Sequence, residues 1–300
     1  MTSIATPVCV APTGDWCGEG AVWHAGEQSV YWVDINRFLI HRFHTVDRTV
    51  KTWFFDQPVT SMILTDRDDT LVAVMSSRVI FWKPATDERR DQGFRTNWPH
   101  VRSNDARADS RGSLWLGTMR NNVNPDGSPG QVGGTDGVLY RIDPDGTVTE
   151  WLRDLVISNT VTWSPDQKHF YTADTPPNKL YVFDYDASTG AISGQRPFFF
   201  GFERGRPDGS CVDSEGYLWN CRYGGHCIVR IAPDGKIDRV IEMPVSNITT
   251  CTFGGPDLTT LYVTTAALGT IPSERLAGGL YAIQTDVKGL PENRFHAFGS

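Results

Sequence analysis

Six short apolar runs recur along this chain, and their spacing limits its fold more than any other feature. The runs are Val30-Tyr31-Trp32, Leu71-Val72-Ala73, Leu114-Trp115-Leu116, Phe170-Tyr171, Leu218-Trp219 and Leu261-Tyr262-Val263. Their starts lie 41, 43, 56, 48 and 43 residues apart. A period in the forties is the signature of a propeller or a solenoid. The content of each unit separates the two. Repeat three reads Asp109-Ser110-Arg111-Gly112, an apolar strand at Leu114, a second strand Val138–Ile142, then the turn Asp143-Pro144-Asp145-Gly146. Repeat five reads Asp213-Ser214-Glu215-Gly216, Tyr217-Leu218-Trp219, Ile228–Ile231, then Pro233-Asp234-Gly235. Proline presets a turn dihedral, aspartate bonds to nearby backbone, and glycine accepts positive φ. Strands joined by such turns form antiparallel meanders, and no long stretch has helical periodicity.

The expected fold is all-β: a six-bladed β-propeller, residues 1–300 forming one domain around a central channel. Two unrelated β-sandwiches would not require so regular a register. Segment 8–16 and the stretch Arg294–Phe298 have no repeat partner, so one of them is expected to complete the last blade and close the ring.

Counting back 10 or 11 residues from each apolar run lands on Glu19, Asn104, Asn159 and Asp208 in repeats one, three, four and five, and near Ser61 and Cys251 in repeats two and six. In a propeller, equivalent positions share one ring on the innermost strands. Two carboxylates and two carboxamides on such a ring can form an oxygen-rich cation site, and the competing reading is a polar belt around a watery channel. Taken singly, each residue reads as ordinary turn or strand-end chemistry. Arg102, beside Asn104, can bind a carboxylate or hydroxyl oxygen, or pair with Asp105.

The net charge of −7 argues against a nucleic-acid partner. The absence of an 18-residue apolar run argues against a membrane span. The start Met1-Thr2-Ser3-Ile4-Ala5-Thr6-Pro7 lacks the basic and apolar regions of a secretory leader. Six cysteines without a C-x-x-C pair read as reduced thiols, and the expected location is the cytoplasm. A Cys211–Cys251 bridge stays open at this level. The expected state is a monomer.

Four segments carry a family resemblance: Cys17-Gly18-Glu19-Gly20-Ala21-Val22-Trp23, Asn104-Asp105 with Gly117-Thr118-Met119, Ser158-Asn159 with Trp163-Ser164-Pro165-Asp166, and Pro207-Asp208-Gly209. Together with Gly254-Gly255 and Gly278-Gly279-Leu280-Tyr281, in this order, they resemble the senescence marker protein 30 (regucalcin)/gluconolactonase family, from about residue 16 to residue 285. The resemblance implies a six-bladed propeller with one divalent metal ion in its channel and hydrolysis of sugar lactones. It implies Glu19, Asn159 and Asp208 as metal ligands, Asn104 as the polar residue beside metal and substrate, and Arg102 as the arginine holding substrate oxygens. Two departures stand out. Thr160 follows Asn159 where the family usually has glycine. The loop Arg120–Asp136 shows no clear match to the family's acidic substrate contact, and it reads as a flexible rim over the channel mouth.

An all-oxygen ligand set suits Ca²⁺, Mg²⁺ or Mn²⁺, with Fe²⁺ and Zn²⁺ also possible. The expected reaction is metal-dependent hydrolysis of an aldonolactone to its aldonic acid, as in sugar oxidation of the bacterial type, with Asp208 as the general base. Two alternatives remain: a phosphotriesterase- or arylesterase-like hydrolase, and a calcium-binding propeller without catalysis. The mixed rim of Trp98, His100, Arg204, Arg206, Tyr223 and His226 leans toward sugars. No Gly-x-Ser-x-Gly elbow occurs, and Cys211 reads as a packing residue.

Overall fold

The fold is built from turns that aspartate organises. In blade three, Asp109 Oδ1 accepts the N–H groups of Arg111 and Ser113, and its Oδ2 accepts the indole N–H of Trp115 at 2.9 Å. In blade five, Asp213 repeats this with Glu215, Tyr217 and Trp219. Trp32 donates likewise to Asp15 and Trp82 to Asp87. At Asp109 and Asp213 a buried carboxylate therefore locks a turn and satisfies a buried tryptophan at once, while Asp87 serves Trp82 from the surface. Trp32, Trp82, Trp115 and Trp219 are among the largest fully buried side chains. Burying a large apolar side chain contributes roughly 1.5–3 kcal/mol, provided the indole N–H keeps a partner.

The computed structural model describes residues 5–296; Met1–Ile4, and Ala297 and Phe298 of the C-terminal stretch noted above, lie outside them. Among the described residues twenty-five strands form six small sheets, antiparallel except for one short parallel pair. No α-helix occurs among the described residues, only one 3-10 turn at Ala25–Glu27. The sheets are the blades of a six-bladed β-propeller. Their innermost strands are Gly18–His24, Val59–Thr65, Val101–Ala108, Ser158–Trp163, Arg206–Val212 and Ile248–Gly254, which we number as blades one to six. Each inner strand contacts the inner strand of the next blade, and blade six contacts blade one. The apolar runs of the sequence are the second strands.

The ring closes through blade six. Its outermost strand is Val8–Ala11, paired antiparallel to Leu280–Gln284, so segment 8–16 supplies the missing strand. The C-terminal segment has a different role: Arg294–Phe295 pairs in parallel with the inner strand of blade two. Apolar clusters fill the spaces between blades. One joins Val22, Tyr31 and Val33 of blade one to Met62, Leu64 and Trp82 of blade two.

Candidate functional site

Every inner strand breaks register near its N-terminal end. A bulge leaves residues out of the ladder and re-aims their side chains. Asn104 lies between the paired residues Ser103 and Ala106, and Asp208 between Pro207 and Ser210. Glu19 and Asn159 are the last paired residues before their bulges, and each precedes a residue in the left-handed region: Gly20 at φ 58° and Thr160 at φ 56°. The alternating count of 11, 10, 11 and 10 residues comes from the connections to the second strands, which leave six residues between Trp23 and Val30 and between Trp163 and Phe170, but five between Ala108 and Leu114 and between Val212 and Leu218. Gly20 is required, because a Cβ there would stand 2.5 Å from the Cα of Ser61. Gly209 is required for a related reason, since its Cβ would meet the Thr250 hydroxyl at 2.1 Å.

Of the other two ring positions, blade two keeps the expected Ser61, beside its register break, and blade six does not keep Cys251. In blade six the bulge falls at Thr249 and Thr250, while Cys251 is back in register opposite Val263. Cys251 lies in the core, its Sγ 3.4 Å from that of Cys211, and both are free thiols. The expected count misses here because seven residues separate the paired Phe253 and Leu261, which puts Thr249 12 residues before the apolar run. In blade two, Ser61 Oγ donates to the Asn104 carbonyl at 3.1 Å.

The remaining residues form one connected network. Asn104 Nδ2 donates to Asn159 Oδ1 at 2.8 Å and to the Ser158 carbonyl at 3.0 Å. Asn104 Oδ1 accepts from Arg102 Nη1 at 2.8 Å. Asn159 Nδ2 donates to Thr175 Oγ1, whose hydroxyl donates to the Pro207 carbonyl, each at 2.8 Å. Arg102 is buried and does not bond Asp105. Its Nε donates to Asn122 Oδ1 at 2.9 Å. Backbone N–H groups of Ala106, Thr160 and Val161 act electrostatically on the Asp105 carboxyl.

The electrostatics are those of a carboxyl cluster that one arginine only partly offsets. The Glu19 carboxyl is pushed well above the ordinary carboxylate range, first by burial and then by Asp208 and Asp105. Asp208 is raised likewise, by burial and then by Asp105. Burial pushes Asp105 up to about 6. Arg102 is the cation acting on both Glu19 and Asp208, and burial brings it down to about 10, still protonated at neutral pH. Two neighbouring residues went unassigned to the site in the sequence. Cys17 and Tyr223 have pKa values raised by burial and further raised by Glu19 and Asp208. Tyr223 had been grouped only with the rim. Of the other rim residues, Arg204 pairs with Glu242 and His100 with Asp136.

Among the described residues no three His, Cys, Asp or Glu side chains converge as a metal cluster. A cation held here would therefore draw on amide oxygen as well as on the two carboxylates. The donor set fits a hard divalent ion: two carboxyls whose charged forms are destabilised by burial, beside an Asn159 Oδ1 already oriented by one donor.

The loop after Met119 is docked. Its segment folds back on itself at Val123 and Pro129. Val123 is buried in the cluster between blades one and two, and Asn36 Nδ2 donates to the Gly127 carbonyl at 2.7 Å. The expected flexible rim is thus a strap reaching from blade three to blade one, with Asn122 holding Arg102 on the way.

Comparison with known proteins agrees with this architecture. The family model of the SMP-30/gluconolactonase/LRE-like region matches residues 17–267. Pentonolactonase XacC of Haloferax volcanii is 34% identical over 298 residues, covering 95% of this chain and 96% of that protein. Regucalcin of Homo sapiens is 33% identical, covering 94% and 95%. Among solved structures, a calcium-binding regucalcin from Agrobacterium tumefaciens superposes with a TM-score of 0.88 at 25% identity, covering 97% of each chain. A luciferin-regenerating enzyme superposes with a TM-score of 0.84 at 28% identity, covering 97% of this chain and 99% of that one. By sequence, by blade order and by the full-length match, this chain belongs to the SMP-30/gluconolactonase/LRE-like family.

Proposed function

We propose that the chain is a metal-dependent lactonase that hydrolyses a sugar lactone, an aldonolactone, to its aldonic acid. The observation that carries this is the juxtaposition of two carboxyls with raised pKa, the half-buried Glu19 and the buried Asp208, beside Arg102 and Asn104. The pentonolactonase relative supports the substrate class.

In this reading Glu19, Asn159 and Asp208 hold one divalent cation, drawn from Ca²⁺, Mn²⁺, Zn²⁺, Fe²⁺ or Mg²⁺. When bound, that cation supplies electrophilic polarisation of the lactone carbonyl and neutralises developing negative charge. It also favours the charged form of both carboxyls. Arg102 keeps guanidinium donors beside Asn104 and orients ring and hydroxyl oxygens of the substrate. Asn104 presents its amide between Arg102 and Asn159, fixing substrate side and ligand side together. Asp208 takes the proton from the attacking water as general base. Ring opening then leaves a carboxylate and a hydroxyl on the product. A calcium-binding role without turnover is the second reading, favoured by the name of the superposed Agrobacterium protein.

The test is acid release from pentono- and hexonolactones by chelated protein with each divalent metal restored. Metal-restored turnover above the spontaneous rate supports the lactonase reading. Tight Ca²⁺ binding with no turnover of any lactone overturns it in favour of the second.

A further inference from the structure

Thr160 occupies a backbone conformation that its side chain resists. A β-branched residue at φ 56° is strained, and glycine relieves that strain. Two contacts hold it there. Its Oγ1 donates to the main-chain carbonyl of Asp208 at 2.6 Å. The same Oγ1 lies 2.8 Å from Ser210 Oγ.

These contacts form a one-way chain. Arg222 Nη1 donates to Asn220 Oδ1 at 3.2 Å, and Asn220 Nδ2 donates to Ser210 Oγ at 2.9 Å. Ser210 has one hydroxyl proton left for Thr160, and Thr160 has one left for the Asp208 carbonyl. The chain starts at a fully buried guanidinium and ends on the peptide of Asp208. Charge-assisted, consecutive donors of this kind strengthen one another.

The same device recurs at every second blade. Ser61 of blade two donates to the Asn104 carbonyl at 3.1 Å, Thr160 of blade four to the Asp208 carbonyl, and Thr249 of blade six to the Gly18 carbonyl at 2.5 Å. Each even blade thus pins the bulge of the next odd blade, where Asn104, Asp208 and Glu19 begin. Thr160 differs from the other two because it directly follows Asn159, so a single residue fixes Asn159 through its own backbone and Asp208 through its hydroxyl.

We infer that Thr160 is a positioning residue for the cation site, holding the oxygens of Asn159 and Asp208 at a common spacing at the expense of local backbone strain. This rests on the metal-binding reading above. The test is calorimetric titration of the chelated protein with Mn²⁺ and with Ca²⁺, for wild type, Thr160→Gly and Thr160→Ser, together with the melting temperature of each metal-free protein. Thr160→Gly is expected to weaken metal binding about tenfold, the usual scale for loss of a ligand-orienting partner, while its metal-free melting temperature holds or rises. Thr160→Ser keeps the hydroxyl and is expected to stay within about twofold of wild type in affinity, well inside that scale. Wild-type affinity in Thr160→Gly overturns the inference and leaves the metal site standing. A fall in affinity matched by a fall in metal-free melting temperature overturns it too, since that marks Thr160 as merely structural. No binding by wild type removes the reading on which it rests.

Discussion

Asn104 Nδ2 and Asn159 Oδ1 meet at 2.8 Å across the boundary between blades three and four. The bond leaves Asn159 one oxygen lone pair directed elsewhere, and it fixes which end of that amide faces the channel. Asn104→Leu removes this donor and the acceptor for Arg102 together. It is expected to weaken metal binding about tenfold or more and to lower kcat/KM further. Calorimetry and lactone hydrolysis, run on the same preparation, check both effects.

Removing the proposed base separates metal binding from chemistry less cleanly, because Asp208 serves both. Asp208→Asn keeps a possible oxygen ligand and loses the basic group. It is expected to lower kcat by about 10²–10⁴ at saturating metal. Full activity in this variant would assign the proton transfer to another group.

The carboxyls of Glu19 and Asp208 are both raised above their ordinary values of 4.5 and 3.8. For an acid raised on folding, the folded state holds its proton more tightly than the unfolded one. Stability is therefore highest below the ordinary values and falls as pH rises through the folded ones. With a chelator present, the melting temperature is expected to drop on going from pH 4.5 toward pH 8. Saturating metal is expected to reverse the drop, because it stabilises the charged forms. Thermal melts across pH, with and without metal, give the answer.

The strap predicts a split between substrate and metal effects. Asn122→Ala frees Arg102 Nε, and Gly127→Ala, at φ 83°, would place a Cβ 2.1 Å from the Asn36 carbonyl oxygen. Both are expected to raise KM for the lactone several-fold, on the order of 10-fold, by loosening the residue that orients substrate. Metal affinity is expected to hold at the wild-type value. Steady-state kinetics beside metal titration measures the split.

Blade five offers a stability test remote from the site. Arg230 is 2% exposed and contacts Asp213, Glu215 and Asp238 at 2.6–2.9 Å. Asp213 also holds the turn and the Trp219 indole. Asp213→Ala removes the buried one of Arg230's three carboxylate partners together with the acceptor for the turn and the indole, and is expected to cost about 3–5 kcal/mol, read by denaturant unfolding.

Much of this was legible in the residues. The recurring Asp-Ser-x-Gly turns before Leu114-Trp115 and Leu218-Trp219 fix strand, turn and buried indole locally, so the repeat phase could be counted. The phase in turn located Glu19, Asn104, Asn159 and Asp208 on inner strands. What could not be counted were the connections between first and second strands. The one between Phe253 and Leu261 is one or two residues longer than its counterparts in blades one, three, four and five, which is why Cys251 stood in for Thr249 and Thr250. Contacts between distant segments were equally silent. Nothing near Asn122 says that it meets Arg102, and Val123 betrays its burial against blades one and two only in three dimensions. Thr160 was visible as a departure, but its left-handed backbone and its bond to Asp208 were not.

Blade six draws its strands from both ends of the described chain, Val8–Ala11 and Leu280–Gln284. During synthesis the first strand must wait unpaired until almost the last one has been made. A growing chain can thus stack five blades and still present open flanks on either side of the gap. Once the clasp snaps shut, no blade can peel away without breaking contact with two neighbours. Durability of the finished ring is then governed by how slowly that clasp reopens, a kinetic property.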